Sequence, residues 1–450
     1  MYFKKIISLT LITLLALSTL LLPSKTEAAT TAKNPINVNA KAAFMIEAST
    51  GKVIYNKNGD ERLGIASMTK MVTEYLLLEA IKEGKLNWDD KLPISKAAYN
   101  VSQDNTLSNV PLRQDKTYTV RELTEAMSIY SANGATIAIA EKLAGGDETK
   151  YIGLMNKLAD KLDLGPHNFV NSTGLSYEDV KGKSVQKNKS ENELTARGIA
   201  KLGRALIMDY PEILEFAKIP KKTFQEGTDD QIKMENWNWM LPGLVNEDKN
   251  LPVDGLKTGT TDHAGMTFTA TAQKADMRLI SVVMNVIDKK NPKDQHSGAR
   301  FVETAKLLNY GFDNYKLVKK ELGQQLKVNI AKGDKESATL TTSVTPSFVV
   351  PKDDKVVVAS KLTLSDKLTT GDGQLIAPIA KDKVVGQAMV AANDPFSYGY
   401  IDNAQGRIVD VIAADDIAGA GFFLSAWRVS KSGLLTAKDY IVEGAKGWFE

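Results

Sequence analysis

Apolar positions along this chain fall into distinct rhythms. "AFMIEASTGKVIY", from Ala43 to Tyr55, alternates around a Ser-Thr-Gly turn and predicts two strands. "GIASMTKMVTEYLLLEA", from Gly64 to Ala80, changes to helical spacing and predicts a long apolar helix ending near Lys82. Between Val120 and Leu143 the helical period is broken at Ser131-Ala132-Asn133-Gly134, residues that favour turns and caps. Two helices meeting at a corner are therefore expected there, with further helices over 149–162 and 193–208. Beyond Asp254, β-rich runs at Met266–Ala272 and Arg278–Val286 flank a short polar "QKAD", which predicts a hairpin. A helix from about Gly298 to Tyr310 follows. Helices enclosed by strands from both ends of the region predict an α+β domain over 29–316.

From 317 to 410 the rhythm shortens. Runs such as "LKVNI", "ATLTTSV" and "KVVVASKLTL" alternate with Gly, Pro and Asp, which predicts a small all-β domain. Residues 411–450 turn helical again, and Phe423, Trp427, Leu434, Ile441, Ala445 and Trp448 fall roughly on one face. No stretch there is apolar for the length of a membrane span, so an amphipathic helix lying in the membrane surface is expected. A helix packed on the β domain is the alternative.

The N-terminus changes the picture of where the chain works. Lys4 and Lys5 precede "IISLTLITLLALSTLLL", Pro23 ends the apolar run, and Thr26-Glu27-Ala28 offers small residues for a peptidase. This is the pattern of a secretory signal over residues 1–28, so the remainder is expected to be exported. Losing Lys4, Lys5 and Lys25 with Glu27 brings the net charge from +3 to +1, which gives no electrostatic ground for a nucleic-acid partner. There is no cysteine, which excludes disulfides, thiolate metal sites and a thiol nucleophile together. At 450 residues the chain is long enough to rely on a large core instead.

Candidate chemistry starts at Ser67 and Lys70, three residues apart and hence on one face of the predicted helix. A serine hydroxyl becomes a useful nucleophile when a base takes its proton. Lys70 can be that base only as a neutral amine, which burial or a nearby cation such as Lys257 would favour. Ser131-x-Asn133 lies at the helix corner and Lys257-Thr258-Gly259 at the start of a strand. Each pattern alone is weak, because Ser184-x-x-Lys187, Ser190-x-Asn192 and Lys431-Ser432-Gly433 repeat all three in polar stretches or the tail. Order and local setting separate the first set from the second. No Gly-x-Ser-x-Gly, His-Glu-x-x-His or Walker phosphate loop is present, and His167, His263 and His296 are scattered. Glu191–Thr195 reads as a helix start.

The ordered set Ser-x-x-Lys, Ser-x-Asn, Lys-Thr-Gly resembles that of penicillin-binding proteins and serine β-lactamases. More closely, the chain resembles the D-alanyl-D-alanine carboxypeptidases among low-molecular-mass penicillin-binding proteins of Gram-positive bacteria. The likeness spans signal, motifs, β-rich domain and tail. It implies a β-lactamase/transpeptidase-like catalytic domain, with Ser67 as nucleophile, Lys70 as base and Ser131 as proton relay to the leaving group. Asn133 would bind the substrate amide, and the Lys257-Thr258-Gly259 strand its carboxylate region. The backbone N–H groups of Ser67 and Thr260 would form the oxyanion hole. Arg300 would grip the terminal carboxylate with two parallel hydrogen bonds; a surface ion pair is its alternative. The implied substrates are peptidoglycan stem peptides ending in D-Ala-D-Ala, with β-lactams as acylating inhibitors and with no metal or cofactor. The implied location is the outer face of the cytoplasmic membrane. A β-lactamase and a non-catalytic penicillin-binding sensor are the competing readings.

Overall fold

A computed structural model describes residues 35–421, apart from 181–185, 187–188, 289, 292–293, 295–296, 354–356, 393–397 and 403–404. The expected signal, the tail from 422 onward, Ser184, Lys187, His296 and the Lys431-Ser432-Gly433 repeat lie outside these residues.

The core of the α+β region is one antiparallel sheet. Strands β1 (Ala40–Glu47) and β2 (Val53–Lys57) come from its beginning. Strands β3 (Val253–Thr261), β4 (Gly265–Lys274) and β5 (Met277–Val286) come from its end, in the order β2-β1-β5-β4-β3. β1 pairs with β5 in register from Ala40 opposite Val286 to Glu47 opposite Leu279, so chain segments more than 200 residues apart close the middle of the sheet. Two-residue alternation explains how this sheet is covered on both faces. Ala42, Phe44 and Ile46 face a cluster with Met71, Val72, Tyr75 and Ile199, whereas Ala43 and Met45 face one with Phe268, Leu307, Leu308 and Phe312.

The helices supply those partners. α1 (Lys70–Lys82) and α5 (Ala196–Asp209) pack on the first face; α6 (Ala299–Asn314) covers the second. Between them, α2 (Val120–Tyr130) and α3 (Asn133–Ala144) turn at Ser131-Ala132, and α4 (Glu148–Lys161) follows. α2 opens with a capping box, in which Thr119 accepts from the Glu122 N–H and Glu122 accepts from the Thr119 N–H.

Two of the boundaries that differ from the sequence reading move residues between helix and strand. The helix expected from 193 starts at Ala196, because Glu193–Thr195 pairs as a strand with Arg62–Gly64 and Thr195 then caps the helix by accepting from the Gly198 N–H. Residues 411–417, expected in the tail, belong to the β core instead. Arg407–Ala413 is a strand whose Val409, Val411 and Ala413 are buried, and Ile417 pairs with Ile379 in the same core.

The strands from Tyr315 onward form an all-β layer. Its six-stranded sheet runs from Val358–Leu364 through Val384–Ala392, Arg407–Ala413, Ser337–Thr342 and Lys327–Ala331 to Leu375–Ile376. It touches the α+β region where the Ile401 N–H donates to the Gly51 carbonyl at 2.8 Å and the Val53 N–H to the Gly399 carbonyl at 3.0 Å. Among the described residues, no helix is long and apolar enough to cross a membrane.

Candidate active site

Ser67 sits in a single 3-10 turn, Ala66–Thr69, that leads into α1. The turn is locked from two sides. Asn192 donates from Nδ2 to Thr69 Oγ1 at 3.0 Å, and its carbonyl accepts from the Ile65 N–H at 3.1 Å. Gly174, at φ +79, presses so closely that a β-carbon there would lie 1.9 Å from the Ala66 carbonyl oxygen. Any side chain would displace the turn, so position 174 requires glycine for both space and backbone angle.

Lys70 is completely buried, and its Nζ has three neighbours. It lies 2.9 Å from Ser67 Oγ, 2.8 Å from Asn133 Oδ1 and 2.9 Å from the Thr173 carbonyl. The first contact is the one that the three-residue spacing predicts. The other two come from α3 and from the loop Asn171–Leu175. Asn171 shapes that loop: its Oδ1 accepts from the N–H groups of Thr173 and Gly174, and its Nδ2 donates to the Leu175 carbonyl. Burial holds the Lys70 amine well below its usual range, and the charge of Lys257 lowers it further, while Glu74 acts in the opposite direction. Lys257 is itself buried, donates to the Thr258 carbonyl at 3.1 Å, and is lowered to about 8, chiefly by desolvation.

Ser131 ends α2 in the left-handed region at φ 58 and ψ 27, which turns its side chain out of the helix at the corner. Its Oγ is buried and has no hydrogen-bond partner among the described residues, unusual for a native hydroxyl unless a bound molecule completes it. Asn133 opens α3; its Nδ2 donates to the Ser108 carbonyl at 3.0 Å while its Oδ1 faces Lys70.

Gly259 lies where the sheet passes the serine turn, and a β-carbon there would come within 2.8 Å of the Ile65 carbonyl. Arg300, on α6, reaches under this strand. Its Nη1 donates to the carbonyls of Gly259 at 2.8 Å and Thr267 at 3.2 Å, and its Nη2 donates to Thr260 Oγ1 at 2.7 Å. Arg300 is 6% exposed, so a surface ion pair is ruled out. Its terminal nitrogens thus bond to β3 and β4 and hold the guanidinium against the strand that borders the cleft. Arg300 also orients the Thr260 hydroxyl, whose oxygen accepts from Nη2, and itself lines the cleft.

These residues meet in one open cleft of about 530 Å³. Ser67, Ser131, Asn133, Thr258, Gly259, Thr260 and Arg300 line it, with Lys70 and Lys257 buried around its base. The repeat Ser190-x-Asn192 does not join them, because Asn192 is consumed in bracing the Ser67 turn. His263 stands at the rim, 3.3 Å from Glu193. Three contributors were missed by the sequence reading: the Thr173 carbonyl, the buried Glu74–Ser128 pair, and Trp237 with Trp239 on the cleft wall. The Asn-x-x-Gly of residues 171–174 signals a turn, but nothing local says that its carbonyl faces an amine.

An antiparallel sheet flanked by helices, with a Ser–Lys pair beside its edge strand and a β domain following it in the chain, defines an enzyme of the serine transpeptidase-like class. Residues 28–288 match the family model described as D-alanyl-D-alanine carboxypeptidase, and residues 312–418 match the C-terminal domain of penicillin-binding protein 5. The chain belongs to the D-alanyl-D-alanine carboxypeptidase family. Relatives include the D-alanyl-D-alanine carboxypeptidases DacC of Escherichia coli, 31% identical over 87% of each chain, and DacF of Bacillus subtilis, 32% identical over 77% of this chain and 80% of that one. Among solved structures, a peptidoglycan synthesis regulatory factor (PBP3) from Streptococcus pneumoniae is 30% identical and covers 85% of this chain and all of its own, with a TM-score of 0.70. Penicillin-binding protein 5 from Haemophilus influenzae is 28% identical over 85% of this chain and 99% of its own, with a TM-score of 0.66. The protein is accordingly a serine-type D-alanyl-D-alanine carboxypeptidase, a hydrolase of the cell wall.

Proposed function

We propose that this enzyme removes the terminal D-alanine of peptidoglycan stem pentapeptides through an acyl-enzyme on Ser67. The contact that carries the reading is the 2.9 Å approach of the desolvated Lys70 amine to Ser67 Oγ. Neutral Lys70 takes the hydroxyl proton as Oγ attacks the carbonyl carbon of the penultimate D-alanine. The backbone N–H groups of Ser67 and Thr260 receive the oxyanion charge. Ser131, whose hydroxyl has no partner among the described residues, relays the proton held by Lys70 to the leaving amine, and the C–N bond breaks to release D-alanine. Water then hydrolyses the Ser67 ester. Asn133 hydrogen-bonds the peptide amide. Lys257, Thr258, Gly259 and Thr260 hold the carboxylate end, with the Arg300 charge behind them. β-Lactams acylate the same serine and leave slowly.

Arg300→Ala tests the carboxylate reading. A carboxypeptidase must recognise a free C-terminal carboxylate, and hydrogen bonds to charged groups contribute about 1.5–3 kcal/mol each. D-Alanine release from a pentapeptide ending in D-Ala-D-Ala should fall more than tenfold, about 1.4 kcal/mol. Acylation by a fluorescent penicillin, driven also by ring strain, should fall less. Equal losses in both activities would mean that Arg300 only braces β3; wild-type labelling without D-alanine release would favour a sensor.

The 1–28 segment directs export, and the residues beyond the β core hold the enzyme against the outer face of the cytoplasmic membrane. A chain ending at Gly421 keeps Ile417 in its core and should be active yet remain in the supernatant when membranes are pelleted. Sedimentation of that truncated, signal-cleaved chain would place the anchor elsewhere.

A further inference from the structure

Glu74 is a buried carboxyl for which the reaction as written has no use. It lies on α1 four residues after Lys70, one turn further along the same face. Only 3% of it is exposed, and its Oε1 accepts from Ser128 Oγ at 2.7 Å. Ser128 lies on α2, three residues before Ser131. The contact therefore joins the helix that carries Lys70 to the helix whose end presents Ser131.

We propose that Glu74 is the counter-ion that keeps Lys257 charged while Lys70 is neutral, a positioning residue for the proton balance of the site. The inference rests on the reading of Lys70 as base and Lys257 as carboxylate binder. That chemistry asks two buried amines in one cluster for opposite states. A buried cation without a counter-charge is costly. With Glu74 ionised, neutral Lys70 and charged Lys257 sum with it to zero; with a neutral residue at 74, the same state leaves Lys257 uncompensated beside Arg300.

Ser128 on α2 touches this carboxyl, and the charged groups near enough to act on it electrostatically are Lys70, one turn back on α1, and Lys257 on β3. Arg300 of α6 acts on Lys257 in turn. Burial raises Glu74 to about 7, whereas the Ser128 hydrogen bond and both lysines favour its ionised form. Its negative charge in return raises both lysines against the burial that lowers them. Removing that charge makes each lysine release its proton more easily. Both limbs of the pH–rate profile must then move to lower pH: the acid limb because Lys70 becomes neutral earlier, the alkaline limb because Lys257 loses its charge earlier.

The test is the pH dependence of acylation by a fluorescent penicillin, from pH 5 to 10, in wild type, Glu74→Gln and Glu74→Asp. Glutamine fills the same volume and accepts the same hydrogen bond from Ser128, so packing is kept while charge is lost. Both limbs should shift down by about one pH unit in Glu74→Gln. Glu74→Asp retains a carboxylate and should return them toward wild type, whatever its absolute rate. Glu74→Met with Ser128→Ala is a second neutral variant, which removes both partners of the buried hydrogen bond and so leaves no orphan; it should shift as Glu74→Gln does. Limbs that stay in place in the neutral variants, or move upward, would overturn the counter-ion role even if the rate falls. A wild type that fails to acylate would instead overturn the reading of the site itself.

Discussion

Ser67→Ala should fold normally and take up no fluorescent penicillin. The substitution removes one oxygen from a 3-10 turn held by contacts that do not involve it, namely Asn192 on Thr69 and the Gly174 backbone against Ala66. Lys70 keeps the Asn133 and Thr173 oxygens as partners, so no buried amine is orphaned. Stability should therefore change little, and a thermal melt checks this. D-Alanine release should drop on the order of 10⁴-fold or more, the scale on which serine hydrolases respond to loss of their nucleophile. Covalent labelling of the folded variant would remove Ser67 from its role, and the labelled peptide would identify the serine that replaces it.

Lys70→Arg should reduce acylation by about 10²–10⁴, the usual range for loss of general-base help. A guanidinium stays protonated through any accessible pH and cannot accept the serine proton. It is also larger than the space that three oxygens define around Nζ, so its circular-dichroism spectrum and melting temperature belong beside the rate. A folded variant acylating at close to the wild-type rate would show that another group, or water, takes the proton. The comparison with Glu74→Gln separates two effects: Lys70→Arg removes the base at every pH, whereas Glu74→Gln should only move the pH at which the base is ready.

The legible parts of this protein are those whose physical cause is local. The α2–α3 corner could be read because Ser131, Asn133 and Gly134 interrupt a helical period. The β4–β5 hairpin could be read from two alternating runs and a polar turn. Where local propensity competed with pairing, the reading failed: Glu193–Thr195 looks like a helix start, yet Arg62–Gly64 recruits it into a strand. Arg300 shows the same limit. A helical arginine can be noticed, and a resemblance can assign it a carboxylate, but only packing reveals that its terminal nitrogens bond to Gly259, Thr267 and Thr260.

By itself the sequence determined the order of the motifs and the three-residue spacing that puts Ser67 within a turn of Lys70, because helix geometry depends on neighbours alone. Only the tertiary structure decided whether that lysine can act. Its proton affinity depends on the water removed from around it, on an amine 187 residues away at position 257 and on the Glu74 carboxyl one turn along its own helix. Those are sums over distance and burial, which close only when β3 is laid beside the serine turn.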